Sequence, residues 1–442
     1  MKKTARPSKK PSLGPTEIQE KLCEMFPTKW LRKKARETKL IIRERKIKAE
    51  ALFWVLVLSY SVAMQRSLAS LKRGYEKETG LTLSDGSWYD RFTPELVVFL
   101  KACVEHGIAA LSSENRRELS ERLKQFKDVL IKDSTIIRLH EKLAKYWPAA
   151  RSKKKVAGVK VSTMVSAVAN GPKTVAIHGE RTSEIKTLRI GSWVKGVILL
   201  IDLGFFKYHL FARIDENKGY FVSRLKENAD PLILRVLKVY AGNATDLTGK
   251  RWSWVRDELK REAVDAEVEV SFSRRAYMGE SKKDTMTLRL VAVRDAETGN
   301  YHAYLTNIPP DKLTAEEVAA LYGMRWEIEL VFKELKSRYA LDQIKTTNPQ
   351  VVEALIWIAI LTMLVSRRLH HLIRTSAPEK QMARFTQLKW ATVFTENASR
   401  LLTAMLNFLG ISKSIELVAA VYSSGALDPH VSRRAFTAEC WS

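Results

Sequence analysis

The chain has 442 residues, with 75 Lys plus Arg against 49 Asp plus Glu, a net charge of +26, and 45% hydrophobic residues. That length suits roughly two to four domains, and the basic excess favours a polyanionic partner, nucleic acid first, while saying little about fold. Cys23, Cys103 and Cys440 show no CxxC or paired-His spacing, so neither a disulfide framework nor a zinc site is indicated and a reducing, cytoplasmic interior is the expected compartment.

Residues 1–16 read as a basic leader punctuated by Pro7, Pro11 and Pro15, and residues 1–50 hold sixteen Lys or Arg against six Asp or Glu. With no apolar run behind it, this start does not read as a secretory signal. Residues 17–125 read as an all-α domain, on the helical apolar spacing of "KAEALFWVLVLSYSVAMQRSLASLKRGY" and "TPELVVFLKACVEHGIAAL". Its densest basic cluster, Arg32, Lys33, Lys34 and Arg36, suits either DNA contact or a solvated helix face. The apolar stretches Ala51–Met64 and Ala354–Val365 fall short of the ~18 to 20 residues needed to span a bilayer, so buried core helices and no membrane are expected.

From Asp128 the period changes. "DVLIKDSTIIRL" (Asp128–Leu139) and "VILLIDLG" (Val197–Gly204) read as central strands, each carrying a carboxylate, Asp133 and Asp202. "KVAGVKVSTMVSAV" and "KTVAIHGERTSE" read as two more strands, followed by a helix near Ser183–Trp193, a helical segment near Phe205–Ile214, and a strand in "GYFVSRLKEN". The mixture predicts an α/β sheet layered by helices. Polar, β-rich sequence at about 229–300 reads as an inserted β subdomain, and residues 376–442 as a C-terminal helical region ending in a tail. In the insertion Trp252 and Trp254 suit base stacking, with core burial expected for at least one of them.

The stretch "YGMRWEIELVFKELK" (Tyr322–Lys336) carries the densest chemistry. On one continuous helix Tyr322, Arg325, Glu329, Lys333 and Lys336 fall within roughly 80° of arc, while Met324, Ile328, Val331, Phe332 and Leu335 form a separate apolar stripe. Arg325 with Glu329, and Glu329 with Lys333, are i,i+4 pairs that commonly just solvate a helix. A single carboxylate among three cations and a Tyr instead suggests a face awaiting further negative charge. Asp133 and Asp202 are costly to bury without a cation; two such Asp with one helix-borne Glu could hold two Mg²⁺ or Mn²⁺ ions for phosphoryl transfer.

The helix matches Y-(2)-R-(3)-E-(6)-K at Tyr322, Arg325, Glu329 and Lys336, and so resembles the DDE transposases of the insertion-sequence-4 group. "LIKDSTIIRL" is similar to that family's first-Asp strand, "LLIDLGFFKYHLF" with "YFVSRLKEN" to its second-Asp region, and the likeness extends over roughly Asp128–Leu372. The resemblance implies an RNase H-like catalytic domain at 126–375 with the β-rich insertion before the Glu helix. It further implies Asp133, Asp202 and Glu329 as catalytic metal ligands, and a homodimer that cuts at terminal inverted repeats and joins the ends to target DNA. By the same carry-over Tyr322, Arg325 and Lys336 grip phosphates, with Lys333 and Trp326 as further DNA contacts. Arg224 and Lys226 share a strand face, which suits phosphate contact or solvated strand-end charge. Asp128 stands as an alternative to Asp133. Some relatives stack a flipped base on a Trp in the strand before the Glu helix, where this chain has "YHAYL" with Tyr301, His302 and Tyr304. A structure-selective nuclease and a catalytically inactive DNA-binding derivative are the competing readings.

Overall fold

The structure, a computed structural model, describes residues 13–60, 62, 67–114, 118–150, 156–243, 246–274, 283–382 and 384–411. Most of the basic leader, and the C-terminal tail with Cys440, lie outside the described residues. In chain order the elements are α1 (Glu17–Met25), α2 (Thr28–Glu37), α3 (Ala49–Ser59), α4 (Leu68–Thr79), α5 (Asp85–Tyr89), α6 (Pro94–Glu114), β1 (Asp128–Leu139), β2 (Ala157–Ser166) and β3 (Gly171–Gly179). They continue as β4 (Val197–Ile201), α7 (Tyr208–Glu216), β5 (Tyr220–Arg224), β6 (Leu232–Lys238), α8 (Trp252–Val255), β7 (Ala263–Ser273), β8 (Lys283–Arg294) and β9 (Tyr301–Thr306). The last are α9 (Ala315–Gly323), α10 (Trp326–Ser337), α11 (Pro349–Ser376), α12 (Glu379–Met382) and α13 (Gln387–Phe408).

Two compact units divide the described residues, one drawn from 13–114, 136–150, 156–159 and 330–411, the other from 118–135 and 160–329. The first is dominated by helices. Its centre is α3, whose residues Ala49 to Leu58 are all buried, because α2, α4, α11 and α13 each pack against it. A helix apolar on every side has to be enclosed in this way. The long helix α11 begins where the Asn348 side chain caps the N–H groups of Gln350 and Val351 and Pro349 occupies the first turn. The apolar stretch expected at Ala354–Val365 is the middle of this 28-residue helix, which is long and apolar enough to cross a membrane yet has 83% of its most apolar window buried within the protein. Inside the same unit Arg367 and Glu334, both buried, pair at 2.7 Å, and the Tyr339 hydroxyl and Trp390 indole donate to Ser366 at 2.7 and 3.0 Å.

The second unit carries the sheet, whose nine strands run in the order β3-β2-β1-β4-β5-β9-β8-β7-β6. β1, β4 and β5 are mutually parallel, and β5 through β6 are antiparallel pairs. The β-rich segment at 229–300 is therefore not a separate layer. β6, β7 and β8 extend the central sheet through β9, and their inward residues Ile233, Val268 and Leu290 share one hydrophobic core with Leu199, Ile201 and Phe221. The helix expected near Ser183–Trp193 is also absent: two short 3₁₀ turns, Glu184–Thr187 and Ser192–Val194, stand there, separated by extended backbone at Leu188 and Gly191.

Candidate active site

The parallel register places the first two candidate carboxylates side by side. Lys132 of β1 pairs with Ile201 of β4, and Ile201 with Ser223 of β5, so the next residues, Asp133, Asp202 and Arg224, come level where this parallel pairing ends, at the carboxyl ends of β4 and β5 and midway along β1, which runs on to Leu139. Open α/β sheets characteristically bind ligands at this edge. Asp128, the alternative to Asp133, sits at the other end of β1. There it is buried and already engaged, accepting from Ser166 Oγ at 2.7 Å and Val168 N–H at 3.1 Å, with Lys173 at 3.6 Å.

Asp133 is mostly buried, and its Oδ1 accepts the Ser134 N–H at 2.7 Å. Burial pushes its carboxyl up to about 6; the negative charges of Asp202 and Glu184 push the same way, while the Ser134 N–H and the Arg325 guanidinium oppose them. Arg325 is the local counter-charge. Its Nη2 donates to Glu329 Oε1 at 2.7 Å, and its Nη1 stands 3.9 Å from Asp133 Oδ2, so one guanidinium spans the strand and helix carboxylates. It remains protonated: burial lowers its affinity for the proton, but the Glu329 hydrogen bond and the charge of Asp202 outweigh this.

The stretch Tyr322–Lys336 is two helices rather than one. α9 ends at Gly323 and α10 begins at Trp326, and across the joint the N–H groups of Met324, Arg325, Glu327 and Ile328 all reach back three residues instead of four. The tightened turn swings Tyr322 inward and lays Arg325 over both its neighbours, 6.0 Å from the Tyr322 ring and 5.8 Å from that of Trp326. Tyr322 is buried, its ring 5.1 Å from Tyr304 and its hydroxyl 3.4 Å from the Ile201 carbonyl; burial pushes that hydroxyl up to about 12. Trp326 is 64% exposed. Lys333 and Lys336 follow Glu329 by one and two turns on α10, beyond Leu330 where the chain passes into the helical unit, the first exposed and the second half-buried.

Arg224 and Lys226 are exposed and line a cleft of about 930 Å³, together with Leu203, Trp252, Arg256 and Tyr301. The two insertion tryptophans separate: Trp252 is a core residue 6.3 Å from the Tyr301 ring, whereas Trp254 is 64% exposed. In "YHAYL" it is Tyr304, against Tyr322, that adjoins the site, while the Tyr301 hydroxyl donates to the Arg261 carbonyl.

The basic cluster on α2 is largely compensated within its own unit. Arg32 donates to the buried Glu50 at 2.5 and 3.1 Å, and Lys34 and Lys33 stand 2.6 and 3.8 Å from Glu37. Arg32 is thus a fold-forming counter-ion, while Lys33, 78% exposed along its side chain, keeps an open face.

Sequence reading missed Glu184. Its carboxylate accepts from Ser134 Oγ at 2.8 Å and from the buried Lys160 at 2.6 Å, directly behind Asp133. Lys132, buried beside Ser162 Oγ at 2.5 Å, has its ammonium pushed down to about 8 by burial against the pull of Glu184 and Asp133. The polar loop "RTSEIK" carries no periodic signal that would mark one Glu as special.

Among the described residues no three carboxylate, thiol or imidazole groups form a finished cage for an ion. The donors nevertheless suit one in kind. Asp133, Asp202 and Glu329 offer hard oxygens, and Asp133, its carboxyl raised chiefly by burial and further by the charge of Asp202, is a group whose ionised form a bound cation would favour.

A family model described as the transposase DDE domain matches residues 124–365. The transposase for insertion sequence element IS231F of Bacillus thuringiensis subsp. israelensis is 21% identical over 89% of this chain and 88% of its own. That for IS1151 of Clostridium perfringens is 23% identical over 79% of each. A solved piggyBac transposase synaptic complex with hairpin DNA aligns over 96% of this chain and 87% of its own at 12% identity and a TM-score of 0.43. With the family model spanning more than half its length, the chain belongs to the DDE transposases, enzymes of DNA cleavage and strand transfer.

Proposed function

We propose that this enzyme is a DDE transposase of the insertion-sequence-4 group with an RNase H-like catalytic domain. In this reading it cuts the terminal inverted repeats of its own element and joins the freed ends to target DNA as a homodimer in the cytoplasm. The observation that carries the reading is the register that brings Asp133 and Asp202 level where the parallel β1–β4 pairing ends, with Glu329 linked to Asp133 through Arg325.

Asp133, Asp202 and Glu329 would hold two Mg²⁺ or Mn²⁺ ions. When bound, such ions activate an attacking oxygen and stabilise the leaving oxygen of a phosphodiester. The protein's own groups do the rest. The Ser134 N–H fixes one Asp133 oxygen. Tyr322, held against Tyr304 and Ile201, presents a hydroxyl that stays protonated at neutral pH and can donate to a phosphate oxygen. Arg325, which here pairs with Asp133 and Glu329, would be free to contact the DNA backbone with those carboxylates holding cations. Arg224 and Lys226 line the neighbouring cleft for a further stretch of phosphates, and Lys333, Lys336 and Trp326 are assigned to DNA on the motif and their position along α10. On α2 Lys33 remains the better candidate, since Arg32 is committed to Glu50 and Lys34 to Glu37.

The test is incubation of wild type, Asp133→Asn and Glu329→Gln with labelled DNA carrying the gene's own flanks, in Mg²⁺ and in EDTA. Metal-dependent nicks at the element ends plus joined products, absent from both variants, are expected. Cutting without joining would favour the structure-selective nuclease; binding without cutting under any metal would favour an inactive DNA-binding derivative.

A further inference from the structure

Glu184 sits on a 3₁₀ turn between β3 and β4, outside the three-carboxylate set, yet it touches the segments that carry Asp133 and Asp202. Toward β1, the Ser134 hydroxyl stands 2.8 Å from each Glu184 oxygen, and the N–H of the same serine donates to Asp133 Oδ1 at 2.7 Å. Toward β4, the stem of Glu184 lies over Gly204, two residues after Asp202: a Cβ at Gly204 would stand 3.1 Å from Glu184 Cγ, tighter than ordinary contact. Behind it, the buried Lys160 ammonium donates to Glu184 Oε1 and to the Thr182 carbonyl, each at 2.6 Å, which fixes the carboxylate against rotation.

As a stability device this arrangement is poor. A largely buried Lys–Glu pair gains little net free energy, because desolvating the two charges offsets most of their attraction. Setting a further carboxylate behind Asp133 also works against keeping that group ionised. What the geometry does supply is direction. The chain Lys160, Glu184, Ser134 anchors the Ser134 side chain, and the N–H of the same residue holds one oxygen of Asp133 while the other faces Arg325. Groups that orient metal-binding carboxylates in this way typically alter metal affinity by about 10- to 100-fold when removed.

We propose that Glu184 is a positioning residue of the active site, which presets the Asp133 carboxylate for a divalent cation through Ser134 and seats the Asp202 loop through Gly204. The proposal rests on the reading of Asp133 as a metal ligand. It needs no covalent step.

The experiment is titration of the full-length protein with Mn²⁺ alone, without DNA, followed by calorimetry, alongside thermal melting and the Mg²⁺ dependence of end cleavage. Ser134→Ala cuts the link while leaving the Lys160–Glu184 pair intact. Glu184→Leu combined with Lys160→Met removes the pair without stranding a charge, and keeps a folded comparison if Glu184→Gln alone melts. Both variants should bind Mn²⁺ about tenfold more weakly and need about tenfold more Mg²⁺ for half-maximal cleavage, at unchanged salt dependence of DNA binding. Ser134→Thr, which keeps the hydroxyl, should stay near wild type. Wild-type Mn²⁺ affinity in both the Ser134→Ala and the double variant overturns the role of Glu184, as does a loss in Ser134→Thr equal to that in Ser134→Ala. Asp133→Asn separates the two levels: if it loses Mn²⁺ binding while the Ser134 and Glu184 variants do not, only the positioning role fails. If Asp133→Asn binds Mn²⁺ like wild type, the ligand assignment beneath it fails as well.

Discussion

Replacing Arg325 by Ala should destabilise the metal-free protein and enlarge the stabilisation that Mg²⁺ confers. The guanidinium lies 3.9 Å from Asp133 and 2.7 Å from Glu329, with 15% of its own side chain exposed against 22% and 34% for the two carboxylates. At an effective dielectric of about 20, one such pair at that separation attracts by about 4 kcal/mol. Desolvation of the guanidinium takes back about half, and the partly exposed Glu329 contributes little after screening, so the net loss is about 2 kcal/mol. For a unit of this size that lowers the midpoint of thermal unfolding by about 5 °C in EDTA. On the proposed assignment divalent cations would take the site the arginine vacates, so the rise in midpoint on adding Mg²⁺ should be larger in the variant than in wild type. Melting both proteins in EDTA and in a Mg²⁺ series measures the two quantities together. Equal Mg²⁺-induced shifts in the two proteins would mean that cation and guanidinium do not compete, and the placement of Arg325 as a resident counter-ion of the metal site would be wrong.

Three further outcomes are expected. The Asp133 carboxyl, raised from 3.8 to about 6, binds its proton more tightly in the folded state; the metal-free fold therefore gains stability as pH falls from above 6 toward 4, and protons compete with the cation. The Mg²⁺ needed for half-maximal cleavage should rise steeply between pH 7 and pH 5, and a flat requirement would contradict the assignment. Asp265 and Arg289, both almost fully buried and joined by two 2.7 Å hydrogen bonds, brace the insertion strands, and Arg289 also donates to the carbonyls of Ile308 and Leu313 ahead of α9. Asp265→Asn should cost about 3 kcal/mol in urea unfolding, by leaving Arg289 buried and unpaired in charge, whereas Asp265→Leu with Arg289→Met should cost less than the single change. Trp252→Ala should cost about 3 to 5 kcal/mol in the same assay and Trp254→Ala under about 0.5 kcal/mol, since the first is core and the second is 64% exposed. A DNA-binding loss confined to Trp254→Ala would mark that ring as a stacking surface.

What the sequence disclosed and what it hid divide along the range of the interactions involved. The bounds of β1 and the core run of β4 follow from apolar patterning within a dozen residues, and both carboxylate-bearing strands were legible for that reason. The joint at Met324–Arg325 was not, because the apolar stripe of α10 continues the phase of α9 closely enough that a missing backbone bond leaves no trace in residue type. Arg32 reads as part of a basic cluster only until Glu50, eighteen residues on, is seen to claim it. Likewise the insertion reads as its own subdomain because strand order is a long-range property: nothing local says that β9 will pair with β5 and carry β8, β7 and β6 into the central sheet. The same pairing sets Arg224 opposite Tyr304, and Tyr304 meets Tyr322. Thus β9, the strand that joins the insertion to β5, supplies the wall against which the Tyr322 end of the motif is packed. A substitution in β9 that loosens Tyr304 should therefore be felt at Tyr322 before it is felt at Glu329, whose only described polar partner is Arg325.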